Sequence, residues 1–351
     1  MYRRRSDRSM NRMAVTRLHP ELSPARLSLT QVGRAESNRT VRGRIWRQFL
    51  WLASVGLICV LSVQGAHTQR LSYSSGQNVS PGYEGWEEDP DGSRWFVFGY
   101  MNRNWDEEPH VAIGVDNGIE PAGPDHGQPT RFLPRRNRFI FRVPVPDGFG
   151  DDDEMVWTLT VNGVTERAYA TLRQDYFMDD IIRASEHGAI GAGTTNPVIR
   201  ANKRPTLAVE GETTRTVRVG QPLVLVASAS DDGVPESPRK RILVFDPNGL
   251  NPWAPHSRVT VNSETGLRVS WFVYRGEGHP TFDPPQIKVW EDTRTGANSP
   301  HAPHWVTPEL PDDGRWVSEV TFDTPGTYIL RCRASDGALD VDHDLTVTVT
   351  P

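Results

Sequence analysis

FDTPGTYILRCRASDGALDVDHDLTVTVT, residues 322–350, is the stretch that decides the fold. Tyr328, Leu330, Cys332 and Ala334 alternate with Ile329, Arg331, Arg333 and Ser335; Asp336-Gly337 breaks the run; Leu345, Val347 and Val349 then alternate with Thr346, Thr348 and Thr350. A period of two marks half-buried strands, because successive side chains point to opposite faces. Pro325-Gly326-Thr327 is a turn that launches the first of these strands on a tyrosine. The stretch sets an architecture and names no reaction.

The rest of the composition agrees. In 351 residues there are 28 prolines, 30 glycines and 11 tryptophans, which favours short strands joined by many turns, and the length suits two domains. The net charge of -5 hides an asymmetry. Up to Ala66 there are 12 basic against 3 acidic residues; beyond it there are 27 against 41, a net of -14. A body that acidic repels phosphate backbones, which excludes nucleic acid as a partner and favours cations or neutral ligands.

Residues 1–48 are rich in Arg and Ser without apolar periodicity and are expected to be disordered. FLWLASVGLICVLSV, residues 49–63, follows without a charge, preceded by Arg42, Arg44 and Arg47 and followed by Gly65 and Ala66. As a helix it would reach about 22 Å at roughly 1.5 Å per residue, short of the roughly 30 Å hydrocarbon core. Residues 49–66 therefore read as a signal peptide, or else as an anchor that is the only membrane contact. Either way the body is exported, to the periplasm or outside the cell. Cleavage would leave Cys332 as the sole cysteine, a small buried hydrophobe.

Residues 80–173 carry a first, aromatic-rich sandwich. Trp95, Val97, Gly99 and Met101 alternate with Phe96, Phe98 and Tyr100, so both faces are apolar and the strand should be central. Phe139, Phe141, Val143 and Val145 define another strand with one wetter face. Trp157, Leu159 and Val161 lead into Asn162-Gly163, the strongest two-residue hairpin signal, and 164–170 returns. Tyr83, Trp86 and Trp105 lie in loop-like text and are candidates for stacking on a sugar or peptide, against the alternative that they are core. The run from Asp151 to Glu154 reads as a solvated loop, with a hard cation as the alternative.

Residues 174–204 lose the period of two and read as a connector, flexible over 187–202, in which 175–184 could form one helical turn or a packing segment. A second sandwich occupies 205–351. VGQPLVLVASASDDG (219–233) and DTPGTYILRCRASDG (323–337) resemble the B and F strands of PKD-like or cadherin-like domains, the bacterial branch of immunoglobulin-type sandwiches. The resemblance implies that Tyr328 forms a tyrosine corner and that Trp271, among Leu267, Val269 and Val273, is the strand C core tryptophan. Ile287 to Trp290 and Val317 to Phe322 supply further strands. The Pro-rich insertions 235–265 and 276–313 depart from the family and offer Trp253 and Trp305 as contact residues. The resemblance also implies a calcium site: the fold would bring Asp231, Asp232, Asp336, Asp340, Asp342 and Asp344 to one edge, and Ca²⁺ takes six to eight oxygens.

His256, His279, His301 and His304 lie in loops, and Pro300 and Pro303 forbid the helix that a zinc-binding HxxH pair needs. No nucleophile elbow, HExxH, Walker-type loop or dinucleotide fingerprint occurs. The sequence thus predicts an all-β exported protein with no cofactor other than calcium. It would be non-enzymatic and bind a protein or polysaccharide partner at the cell envelope; the alternatives are a purely structural envelope component and a hydrolase without a motif.

Overall fold

The computed structural model describes residues 73–121, 123–188, 195–237, 261–292, 305 and 307–351. The expected leader and apolar helix, Trp253, His256, His301 and His304 lie outside these residues. Among the described residues, no helix is long and apolar enough to cross a membrane.

The first sandwich pairs β1 (Val79–Glu88), β2 (Arg94–Asn102) and β4 (Arg135–Pro144) in one sheet, and β3 (Asn117–Glu120), β5 (Met155–Val161) and β6 (Val164–Ala170) in the other. As its doubly apolar pattern predicts, β2 is central. Phe96, Phe98 and Tyr100 enter the main core, whereas Val97 joins Phe139 and Met178 on the opposite face. Asn162 and Gly163, with φ of 50° and 76°, make the β5–β6 hairpin turn through the left-handed region that the Asn-Gly pair favours.

One face assignment changes. Phe139 and Phe141 do not share a face, because the β2–β4 register shifts between Phe98 and Tyr100 and Phe139 sits at φ 52°. A bulge inserts residues into one strand and re-aims its side chains. Phe141 therefore stacks on Phe98 in the core while Phe139 faces outward.

The second sandwich is all-antiparallel except at one edge. β7 (Thr206–Val209), β9 (Pro222–Ser230), β12 (Arg315–Thr321) and β11 (Thr281–Asp283) form one sheet. β10 (Arg268–Arg275), β13 (Gly326–Ser335), β14 (Asp340–Thr350) and β8 (Thr214–Arg218) form the other, with β8 parallel to β14. This is the strand order of an immunoglobulin-like sandwich whose first strand is divided between the sheets. Trp271 lies opposite Cys332 and is buried with Leu225 and Leu330, and the Tyr328 hydroxyl donates to the Thr324 carbonyl at 2.8 Å, closing the tyrosine corner. The strand expected at Ile287–Trp290 does not form. Gln286 Oε1 instead accepts from the Trp271 amide on the open edge of β10, and Val289 and Trp290 pack against the first sandwich.

The two sandwiches share a core. Phe272 and Tyr274, on the outer face of β10, are buried in the aromatic cluster of the first sandwich. The Tyr274 hydroxyl donates to the Gly127 carbonyl at 2.6 Å, and Arg275 Nε donates to the Gln128 carbonyl at 2.8 Å.

At 175–184 the connector takes its alternative, a helical, packed segment. Helix α1 (Asp180–His187) is capped by Asp179, whose carboxylate accepts from the Ile182 amide at 2.8 Å, and ends on left-handed Gly188. Its Ala184 packs with Ala338 and Leu339 of the second sandwich, while Arg183 pairs with Glu87 of β1 and lies 4.5 Å from the Phe139 ring centre. The period of two vanished because a docked helix replaces strands.

Candidate functional site

A cleft of about 890 Å³ opens between the sandwiches. Its wall from the first sandwich is the end of β1 with the following turn (Glu87, Glu88, Asp89) and the edge of β4 from Phe139 to Arg142. Asp179 and Asp180 at the start of α1 close one side, and Asp340, Asp342 and Asp344 of β14 form the facing wall. Val97, Phe139 and Met178 supply an apolar floor, with Phe177 at its margin. Eight carboxylates line the cleft against the guanidinium groups of Arg142, Arg183, Arg204 and Arg331.

Alternation along β13 and β14 creates the second wall. Arg331 and Arg333 are directly opposite Asp344 and Asp342, on the face turned away from the sandwich's own core. Arg333 Nε and Nη2 donate to the two Asp342 oxygens at 2.8 Å each. The Arg331 guanidinium lies 3.5 Å from the Tyr274 ring centre. Burial disfavours charge on both arginines, but the Tyr274 oxygen, Asp344 and Asp342 around Arg331, and Asp342 and Asp340 around Arg333, outweigh it and hold both further above the usual arginine range. Both stay cationic.

Asp340 is anchored between His187, whose Nε2 lies 3.1 Å from its Oδ2, and Arg333. Burial pushes its carboxyl up, but His187 and Arg333 prevail and hold it well below the usual range. Asp336 differs. It is fully buried at the β13–β14 turn, where Oδ1 accepts from the Ala338 and Leu339 amides at 2.6 and 2.7 Å and Oδ2 accepts from Asn202 at 3.0 Å. Burial, outweighing these hydrogen bonds, lifts it to about 7.

The six aspartates expected to share a calcium ion are thus divided among other partners. Asp340, Asp342 and Asp344 face arginines, Asp336 serves its own turn, and Asp231 and Asp232 accept from the Gly233 and Val234 amides. Among the described residues no three Asp, Glu, His or Cys side chains are arranged to hold a metal ion.

The aromatic candidates also move. Tyr83 and Trp86 are on β1, not in a loop. Trp86 is buried, donating Nε1 to the Arg173 carbonyl at 3.0 Å, and the Tyr83 hydroxyl donates to the Thr171 carbonyl at 2.6 Å. Trp105 is half-buried beneath Arg135, 4.2 Å from the ring centre, and Trp305 is half-buried. None of Trp86, Trp105 and Trp305 lines the cleft. Asp151, Asp152, Asp153 and Glu154 are exposed, with Asp153 accepting from the Gly150 amide, and His279 stands beside Arg131.

Glu87, Asp89, Arg142 and Arg183 went unremarked in the sequence because their meeting depends on the packing of the two sandwiches. Arg331 and Arg333 did carry a signal: arginines on the outward positions of a core strand, matched by aspartates on the next.

Comparison with known proteins finds no matching family model and no matching curated protein. Solved structures do align. A conjugative transposon lipoprotein from Bacteroides eggerthii is 11% identical, covering 40% of this chain and 95% of that one at a TM-score of 0.22. Domains 4 and 5 of the S-layer protein SbsC are 10% identical over 78% and 98% at 0.21, and the D00-D0 domain of intimin 9% identical over 77% and 100% at 0.21. Likenesses of this strength carry no weight for function, and the fold assignment rests on the strand order and the tyrosine corner.

Proposed function

We propose that this is a non-enzymatic, exported interaction protein that uses the cleft between its sandwiches to hold a partner protein. The observation that carries it is the cleft itself, about 890 Å³ with one wall from each sandwich, held in fixed relation by the shared core around Phe272 and Tyr274. Recognition sites recur at such junctions, and a rigid cleft spares the ordering cost of binding. The carboxylates around it support binding over catalysis. Most are engaged by guanidinium groups, whereas acid–base chemistry needs a pair whose environments set their protonation apart. The excess of carboxylates supports a partner that presents cationic groups.

The test is site-specific photo-crosslinking in the native cells. A benzophenone side chain at Glu88, on the exposed rim of the cleft, is expected to trap one discrete protein. The same group at Val115, which is 90% exposed and outside the cleft, is expected to trap none. Equal labelling from both positions, or none from Glu88, would remove the cleft as the binding site.

A further inference from the structure

The cleft carries information about the form of its ligand as well as its charge. Among the described residues β4 is an edge strand, hydrogen-bonded to β2 on one side only. The Val145 amide donates to the Arg94 carbonyl at 2.9 Å, so the odd-numbered backbone groups of this strand turn towards β2. The Ile140 carbonyl turns the other way and accepts from Arg331 Nη1. By the period of two, the N–H and C=O of Arg142 also point away from β2, towards the cleft that Arg142 lines. Pro144 ends the row of donors. Beside the Ile140 carbonyl, which Arg331 occupies, Arg142 thus holds a backbone donor and acceptor on a strand edge inside a cavity, and such an edge is a template for another chain.

We propose that the cleft takes a lysine- or arginine-rich segment of the partner in extended form, added as a strand along the Ile140–Pro144 edge of β4. This rests on the cleft being the partner site. From Ile140 to Pro144 the edge spans four residue steps, about 13 Å at roughly 3.3 Å per residue, with the Arg142 groups at its centre, and admits a segment of similar length. Alternate side chains of an added strand point to opposite sides. They would meet Glu87, Glu88 and Asp89 on one wall and Asp342 and Asp344 on the other, with Phe177 offering a ring face to a cation. Only a peptide can match the repeat of the backbone edge while carrying cations to the carboxylates; a polyamine lacks the repeat, and a neutral polysaccharide lacks both the repeat and the cations. Strand addition takes affinity from the backbone and selectivity from side chains.

The experiment uses the full chain and three acetylated, amidated octapeptides: alternating Lys-Val, the same sequence N-methylated at alternate amides, and alternating Glu-Val. The Lys-Val peptide is expected to bind in low salt and to slow hydrogen exchange at the Arg142 amide. Its N-methylated form should bind at least about tenfold more weakly, the Glu-Val peptide not measurably, and Glu88→Lys should weaken Lys-Val binding several-fold while leaving the fold intact. Equal binding of the N-methylated peptide without protection at Arg142 overturns strand addition and leaves the cleft as a cationic site. Failure of Lys-Val to bind while the Glu88 crosslink persists overturns the ligand class alone. Loss of the crosslink overturns the cleft reading itself.

Discussion

Arg331 and Asp344 stand directly opposite each other on β13 and β14 and are joined by two hydrogen bonds, Nε to Oδ1 at 2.6 Å and Nη2 to Oδ2 at 2.7 Å. The third arm of the guanidinium crosses to the first sandwich and donates to the Ile140 carbonyl. One side chain therefore ties the cleft's two walls together. The arginine is nearly buried, 9% exposed, whereas the carboxylate is 41% exposed, so the two partners are not equivalent. Arg331→Met removes the donor from a buried carbonyl and should cost about 2–4 kcal/mol. Asp344→Asn, with water at hand, should cost less than about 1 kcal/mol. Denaturant midpoints of the two variants decide it, and equal losses would contradict the asymmetry.

Phe272 and Tyr274 make the second sandwich dependent on the first. Both are at most 7% exposed, yet they lie on the face of β10 turned away from their own core. Residues 205–351 produced alone would present this aromatic face to water, and exposed apolar patches of this kind drive association. The fragment is expected to form soluble aggregates by light scattering, and Phe272→Thr with Tyr274→Thr to restore a monomer. A monomeric unmodified fragment that melts as the full chain does would show that the shared core contributes nothing.

The corner at Tyr328 offers a graded test. Tyr328→Phe loses one hydrogen bond to the Thr324 carbonyl and should cost about 1 kcal/mol. Gly278→Ala should cost more, about 1–3 kcal/mol, because its Cβ would fall 2.2 Å from the Tyr328 hydroxyl and 3.0 Å from Thr324 Cβ. The tyrosine ring is fully buried and has nowhere to retreat. Thermal melts in which the alanine variant equals the parent would show that the corner relaxes freely.

These residues also show where the sequence was legible. Tyr328, Trp271 and Cys332 were placed correctly because each belongs to an alternating pattern that one sandwich satisfies by itself. Phe139 was misplaced because a bulge is a local departure from that pattern with no residue signature here. The cleft was invisible for a different reason. Glu87, Arg142, Arg183 and Arg331 are separated by up to 244 positions, and no periodicity encodes the docking of one sandwich on another. Trp86 read as part of a loop only because β1, with Gly82 and Gly85 breaking its pattern, did not look like a strand.

Asp336 predicts how stability responds to pH. Its carboxyl is raised to about 7 in the folded protein, from 3.8, so between those values the folded state holds a proton that the unfolded chain has released. Its contribution to stability is then complete below about pH 4 and is lost as pH rises through 7, at no more than about 1.4 kcal/mol per pH unit. Asp340 acts in the opposite sense: its depressed carboxyl stabilises above the ordinary aspartate range and is lost only in stronger acid. The two windows are separate. Asp336→Asn keeps an acceptor for the Ala338 and Leu339 amides, and once the Asn202 amide, which donates to Asp336 Oδ2, turns over, the new amide donates to Asn202 Oδ1, which is buried and has no hydrogen-bond partner. Unfolding free energies measured from pH 4.5 to 8 should therefore decline for the parent and decline less steeply for Asp336→Asn, with the variant the more stable of the two at pH 8. Parallel curves for the two proteins would mean that Asp336 is ionised throughout and that its turn tolerates a buried carboxylate.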